Sequence, residues 1–408
     1  MYTHIDNIRI FDGETVLPQR SLTLANGIIS AIGESAPHGA EIVDGAGATA
    51  LPGLIDSHVH TSPEALRLAL RFGVTTELEM QGYWTEAQRT HVAADSTSAD
   101  VRSALLALMA EDGHPNEFVD VDAKKEWSDG SAWRMPSVTT AEDAVRHVDA
   151  MIDAGADYIK IMIEEGSVMG HPGLPMIDPE ALRAGVKRAH QRARKVIAHT
   201  LTYDATMQAI AIGVDGLAHL FIDRPIDARM IDAIQESELF ITPCLVVSRS
   251  LLGADGSELA ADPRVVRKLP PVWRETLEGS FGTYPDGDFE TVLGNVRELH
   301  TAGVPILAGS DAGRPVRSHG GVAHGASVHH EMQLLAQAGL TATESLHCAT
   351  GAPADAFGLK DRGRIAAGLR ADFLLVDGDP TRRIDESLSI HSVWRNGHVL
   401  DARLVRTF

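Results

Sequence analysis

Between residues 53 and 357, short apolar runs give way to amphipathic stretches eight times in succession. The runs Gly53–His60, Gly73–Met80, Val101–Met109, Tyr158–Ile163, Lys195–Thr200, Gly213–Leu220, Phe240–Val247 and Val304–Asp311 read as strands. Helical periodicity follows in Pro63–Phe72, Thr140–Ala154, Asp178–Arg194, Tyr203–Ile212 and Phe289–Ala302. Asp178-Pro179 supplies a helix start, with proline in the first turn where its missing N–H costs nothing. Strands that alternate with helices must run parallel, because each crossover returns the chain to the same edge. Eight such units specify an α/β fold, a (β/α)8 TIM barrel.

The two ends read differently. Thr3–Phe11, Ser21–Ala25, Gly27–Ile32 and Glu41–Asp44 are strand-like, with Asp12-Gly13 and Asn26-Gly27 as hairpin turns. Ala371–Asp377, Ile390–Arg395 and His398–Leu400 repeat the pattern, joined at Asn396-Gly397. The expected organisation is residues 1–52 plus 358–408 as one small β-sandwich domain built from both termini, with the barrel at 53–357. Trp84–Ser137 and Asp255–Asp288 are expected as long loops over the barrel; the first holds three of the five tryptophans.

Composition narrows the partners. Asp+Glu at 56 against Lys+Arg at 36 gives a net charge of −20, a field that repels nucleic-acid backbones and anionic lipid. No nucleic-acid or membrane partner is therefore expected. The start of the chain lacks the basic and apolar regions of a signal peptide, and no apolar run is long enough to span a bilayer. A cytoplasmic location follows as the default. The two cysteines, Cys244 and Cys348, cannot build a disulfide framework or a cysteine-rich zinc module.

Chemistry concentrates at the predicted strand ends. Asp56-Ser-His-Val-His60 closes the first strand, and a side-chain period of two aims His58 and His60 the same way. At the carboxyl end of a barrel strand they face the active-site mouth. Lys160 sits inside Tyr158-Ile-Lys-Ile-Met-Ile163, His199 ends Val196-Ile-Ala-His199, His219 ends Gly216-Leu-Ala-His219, and Asp311 ends Ala308-Gly-Ser-Asp311. A single buried polar group in a strand is commonplace, and Lys160 alone reads as a partner of Glu164 or Glu165. Metal-type ligands on five separate strands are hard to attribute to chance.

With these residues in place, the chain resembles the amidohydrolase superfamily of metal-dependent hydrolases. Leu51-Pro-Gly-Leu-Ile-Asp-Ser-His-Val-His60 matches the opening motif. Thr350-Gly351-Ala-Pro353 and the run Asp361–Asp372 resemble the segment by which the chain leaves the barrel for the β-sandwich. The Lys160 run, His199-Thr-Leu-Thr and His329-His-Glu331-Met-Gln-Leu-Leu335 are similar to the prolidase-like, imidazolonepropionase-related branch.

The resemblance implies two divalent metal ions, with zinc suited to the ligand types. By analogy His58, His60 and Asp311 bind one ion, and His199 and His219 the other. Lys160 is implied as a carboxylated lysine bridging both, and Asp311 as the general acid/base. The implied function is cleavage of an amide C–N bond in a small molecule such as a dipeptide or N-acyl amino acid. Alternatives are a one-metal cyclic-amide hydrolase or ring deaminase, a lactonase or phosphoesterase on the same centre, and a scaffold whose site has decayed. The resemblance also admits self-association into a homo-oligomer.

Substrate contacts are open. His324 and His329 either bind a substrate carbonyl or carboxylate or are solvated loop residues; Arg314 and Arg317 either clamp an anion or lie at the surface. His114 lies in a lid-like Gly-His-Pro segment, and Tyr203 either approaches the site or packs its helix. His147 and His190 read as surface residues. Leu201, Ala218 and Leu220 depart from the branch's pattern around the late histidines, so the resemblance does not carry a substrate with it.

Overall fold

The computed structural model describes residues 2–118 and 137–400. Its centre is a set of parallel strands. Leu54–Val59 pairs with Val74–Glu79, which pairs with Asp100–Ser103. Ile159–Met162, Val196–His199, Gly216–Ala218 and Phe240–Thr242 form a second parallel sheet in that order. Single parallel bridges join Leu108 to Ile161, Ile241 to Ile306 and Ala312 to Val59. These strands are buried along their length, as parallel strands covered by helices must be. Ile55, Leu78, Ile197, Ala218 and Phe240, from five of these strands, share one apolar cluster with Ala104 and Leu307.

Helices occupy the crossovers. Pro63–Arg71 is capped by Ser62, whose side chain accepts from the Ala65 N–H, and Pro179–Gln191 is capped by Asp178. Ala141–Asp153 starts with a capping box between Thr140 and Asp143.

The terminal strands form two further sheets. The first, Ile28–Ile32, Leu22–Ala25, Tyr2–Asp6 and Glu41–Asp44, is drawn from the beginning of the chain. The second interleaves both ends: Phe373–Val376 lies between Ile390–Arg395 and Thr49–Pro52, with Arg9–Phe11 beyond. Ile5, Leu22, Ile29, Ala50, Phe373 and Trp394 pack into one cluster shared by the two sheets. The expected Asn-Gly turns are present. Asn26 and Asn396 take φ of 52° and 53°, each followed by a glycine at positive φ, as a type I′ hairpin requires.

Several boundaries differ from expectation. Thr3–Phe11 is two strands, broken where Asn7 turns left-handed at φ 55°. The third central strand stops at Ser103 because Leu105 adopts φ 58°, and pairing resumes only at Leu108. The seventh stops at Thr242, since Pro243 has no N–H for a ladder and the helix Leu245–Leu251 follows at once. Val304–Asp311 forms no ladder and is held through its bridges. The segment expected as a loop at Asp255–Asp288 folds as the short helices Ser257–Ala261, Pro263–Val266 and Pro271–Leu277. Within Trp84–Ser137, Glu86–Ala94 is a helix with a Thr85–Gln88 capping box. Residues 119–136 of that expected loop, and 401–408 of the terminal stretch, lie outside the described residues. Among the described residues, no helix is long and apolar enough to cross a membrane.

Candidate active site

The carboxyl ends of the parallel strands converge on Asp311. Its Oδ1 lies 3.3 Å from His58 Nε2 and 3.1 Å from His60 Nε2, and its Oδ2 lies 3.7 Å from His219 Nε2. His199 joins the group through its ring, 4.7 Å centre to centre from His219. Lys160 projects into the same cavity, fully buried, its Nζ without a hydrogen-bond partner among the described residues. His219 and Asp311 sit in left-handed backbone, at φ 74° and 53°. Such conformations are uncommon away from glycine and cluster where function requires a side chain to be re-aimed.

The electrostatics suit cation binding. Burial holds the His58 and His199 imidazoles well below their ordinary pKa and pushes His219 down to about 3, so all three are neutral donors at pH 7. Burial also lowers His60, but hydrogen bonds and charge from Asp311 and Glu79 outweigh it and raise the ring to about 10. Burial raises Asp311, yet the surrounding histidines prevail and hold it strongly ionised. A persistent carboxylate beside the neutral imidazoles of His58, His199 and His219 is a donor set for a divalent metal; His60, protonated in the metal-free site, joins it by giving up its proton to the ion's field. His58, His60 and Asp311 offer ligand atoms within 4.8 Å of one another. Lys160 is pushed down to about 7 by burial, against the opposing charge of Asp311. A large fraction is then the free amine, the form that adds CO₂.

The expected partner of Lys160 is occupied elsewhere. Glu164 Oε2 lies 3.3 Å from His199 Nε2, while its Oε1 accepts from the Gly166 N–H. Glu165 accepts from the Ser167 N–H.

Of the expected substrate contacts, His114 and Arg314 line the cavity. The His114 ring stands 4.4 Å from that of His199, and its Nδ1 lies 2.5 Å from Glu117 Oε1. Four others are not brought to it. His324 is buried between Glu77 and the Gly313 carbonyl. His329 is buried between the Phe72 carbonyl and Ser387 Oγ. Tyr203 packs on Phe221 and hydrogen-bonds Asp227 instead of facing the ligands. Arg317 points its guanidinium to the Glu278 carbonyl. His147 is largely enclosed, on the Leu106 carbonyl, whereas His190 is at the surface with Asp215.

Sequence reasoning missed Glu79, which lies 3.7 Å from His60 Nδ1, and Cys244, whose Sγ is 3.5 Å from His58 Nδ1. A charged residue within the apolar run Val74-Thr-Thr-Glu-Leu-Glu79 was the available signal for the first. The cavity has a volume of about 900 Å³. Away from the histidine cluster its wall is largely apolar, with Met162, Met169, Leu251 and Trp273, and with Phe118 and Phe281 in ring contact with His319, while Glu64, Gln81 and Arg314 add polar groups.

A model of the amidohydrolase family matches residues 49–400. The chain belongs to that family. Amidohydrolases are hydrolytic enzymes of carbon–nitrogen bonds that use metal ions, and this chain is one of them. Solved structures similar to this amidohydrolase include a Xaa-Pro dipeptidase with methionine bound in its active site, at 21% identity and TM-score 0.74, covering 98% of this chain and 99% of that one. An ochratoxinase from A. niger gives 21% and 0.73 over 98% and 95% of the two chains. Phenylurea hydrolase B gives 21% and 0.74 over 99% and 97%. At these identities the likeness is one of fold. No curated protein sequence matches the chain.

Proposed function

We propose that this amidohydrolase cleaves an amide C–N bond in a small substrate such as a dipeptide or N-acyl amino acid, at a centre of two divalent metals. The observation that carries the reading is the convergence of His58, His60 and His219 on Asp311 beside the unpartnered, buried Lys160 Nζ. In this reading His58, His60 and Asp311 would hold a first ion and His199 and His219 a second, and Lys160, once carboxylated, would add an anionic ligand to the pair. Carboxylation turns a buried cation that two metals would repel into an anionic ligand. Zinc suits the mixed imidazole and oxygen set. The parallel strands are read as one (β/α)8 barrel over 53–357, and residues 1–52 with 358–408 as a β-sandwich domain.

The metals, when bound, polarise the scissile carbonyl and make water a nucleophile at neutral pH. Asp311 stands beside the ligand histidines, ionised and ready to accept the proton of the attacking water. It then returns that proton to the leaving nitrogen as the C–N bond breaks, so acid and base are one group. The apolar wall excludes bulk water and favours an apolar acyl or side-chain group on the substrate. That the similar structures include enzymes named for a dipeptide, an ochratoxin and a phenylurea supports amide-type chemistry on this fold.

The test is a hydrolysis screen of metal-loaded protein against N-acyl amino acids, Xaa-Pro and other dipeptides, ring amides and lactones. Turnover confined to ring amides or lactones overturns the proposal.

A further inference from the structure

Cys244 stands behind His58. The imidazole presents Nε2 to Asp311 at 3.3 Å and Nδ1 to Cys244 Sγ at 3.5 Å, so the ring separates thiol from carboxylate. Sγ is also 3.5 Å from the Thr242 carbonyl oxygen. The side chain is fully buried. The contacts allow one chain of donors when a metal takes Nε2: the ring proton then sits on Nδ1 and is donated to Sγ, and S–H donates to the Thr242 carbonyl.

The backbone is built to put the thiol there. Cys244 takes φ 50° and ψ 54°, a left-handed conformation costly for a residue with a Cβ. It precedes the helix Leu245–Leu251, whose cap has no side-chain hydrogen bond of its own. The buried Glu331 carboxylate supplies that cap from another helix: it accepts from the Leu245 and Val246 N–H groups at 2.9 Å each. A strained turn held by a carboxylate from elsewhere in the chain is over-determined.

We infer that Cys244 is a positioning residue for the metal ligand His58, its thiol fixing the ring's tautomer and orientation and Glu331 fixing the turn that carries the thiol. This rests on the metal-centre reading above. Metal-bound histidines generally give their second N–H to a carboxylate or carbonyl; here a cysteine sulfur stands in that place, itself in contact with the Thr242 carbonyl.

The test is chelator competition on zinc-loaded protein, which resolves a tighter and a weaker metal, applied to native, Cys244→Val, Cys244→Ser and Glu331→Gln proteins. Val keeps the volume and removes both hydrogen bonds. It should weaken the first metal by about 10–100-fold, the usual effect of losing such a partner, and leave the second unchanged. Ser, which can both donate and accept, should recover much of the loss; Glu331→Gln, with one acceptor fewer for the two N–H groups, should fall between. Cadmium-loaded native protein should show no thiolate charge-transfer band. Such a band, lost in Cys244→Ser, would make Cys244 a direct ligand and overturn the inference. Unchanged metal binding in Cys244→Val overturns it alone. Native protein that takes up no metal overturns the centre and the inference together, which separates the two failures.

Discussion

His324 and Glu77 form an ion pair with neither side chain exposed, Nδ1 lying 2.9 Å from Oε1. The other ring nitrogen, Nε2, is on the Gly313 carbonyl, two residues past Asp311. The pair therefore ties the segment after the eighth strand to the second strand. Replacing His324 by Ala leaves the Glu77 carboxylate buried and uncompensated, at a cost of about 3–5 kcal/mol. Denaturant unfolding should show that loss. Burial lowers the His324 pKa, but Glu77 and Asp56 raise it by more, for a net upward shift. The pair's contribution is then complete below the unfolded value of about 6.5 and fades as pH rises through the higher folded value. The stability gap between native protein and Glu77→Gln should accordingly narrow at alkaline pH; a gap that widens there removes the pair as its cause.

Lys160→Ala should lose one or both metals together with turnover. Native protein should hold about two ions per chain, as a two-metal centre requires. Metal analysis of both proteins checks this, and a short carboxylic acid added to the variant should restore part of its activity by filling the vacated bridge. A single ion in both, at full native activity, would make Lys160 structural and favour ring-amide chemistry.

Asp311→Asn should retain much of the metal, because His58 and His60 remain, but lose turnover by about 10²–10⁴-fold. Steady-state kinetics on the metal-loaded variant decides. Near-native turnover would take Asp311 out of the proton transfer.

Arg395 is fully buried on the C-terminal strand Ile390–Arg395, 2.9 Å from Asp372 and 3.2 Å from the Ser98 carbonyl. Asp372 keeps Arg370 at 2.9 Å and the Asn396 N–H, so Arg395→Ala should destabilise the protein by about 1–3 kcal/mol, the cost of losing one buried charge-assisted partner. The melting temperature should fall with little change in KM; a variant that melts as native does would show the pair to be dispensable.

The cluster of His58, His60, Lys160, His199, His219 and Asp311 was legible because each lies in or at the end of a predicted strand, and strand ends of a parallel fold face one side. His58 and His60 needed only the period of two. His324 and His329 misled because a histidine after a strand reads alike whether it meets substrate or a buried Glu77 or Ser387. The partner comes from a distant segment. Cys244 stayed hidden for a related reason: its contact with His58 depends on Pro243 ending a strand and on Glu331, far along the chain, holding the turn. Ser257–Leu277 looked like loop because its helices are too short for apolar periodicity to register, although Pro263 and Pro271 stand at their first turns as start signals.

The pairing of Thr49–Pro52 with Phe373–Val376 also bears on how the molecule is made. Thr49–Pro52 runs through Gly53 into the strand that carries His58, and the Gly53 N–H is itself held by the Asp372 carbonyl. On the ribosome, the early strand emerges long before its partner is translated. Closing so large a loop is entropically slow, so the edge beside His58 and His60 waits until Phe373–Val376 has been made. Synthesis of that late strand, rather than of the histidines themselves, sets the earliest moment at which His58 is locked in place.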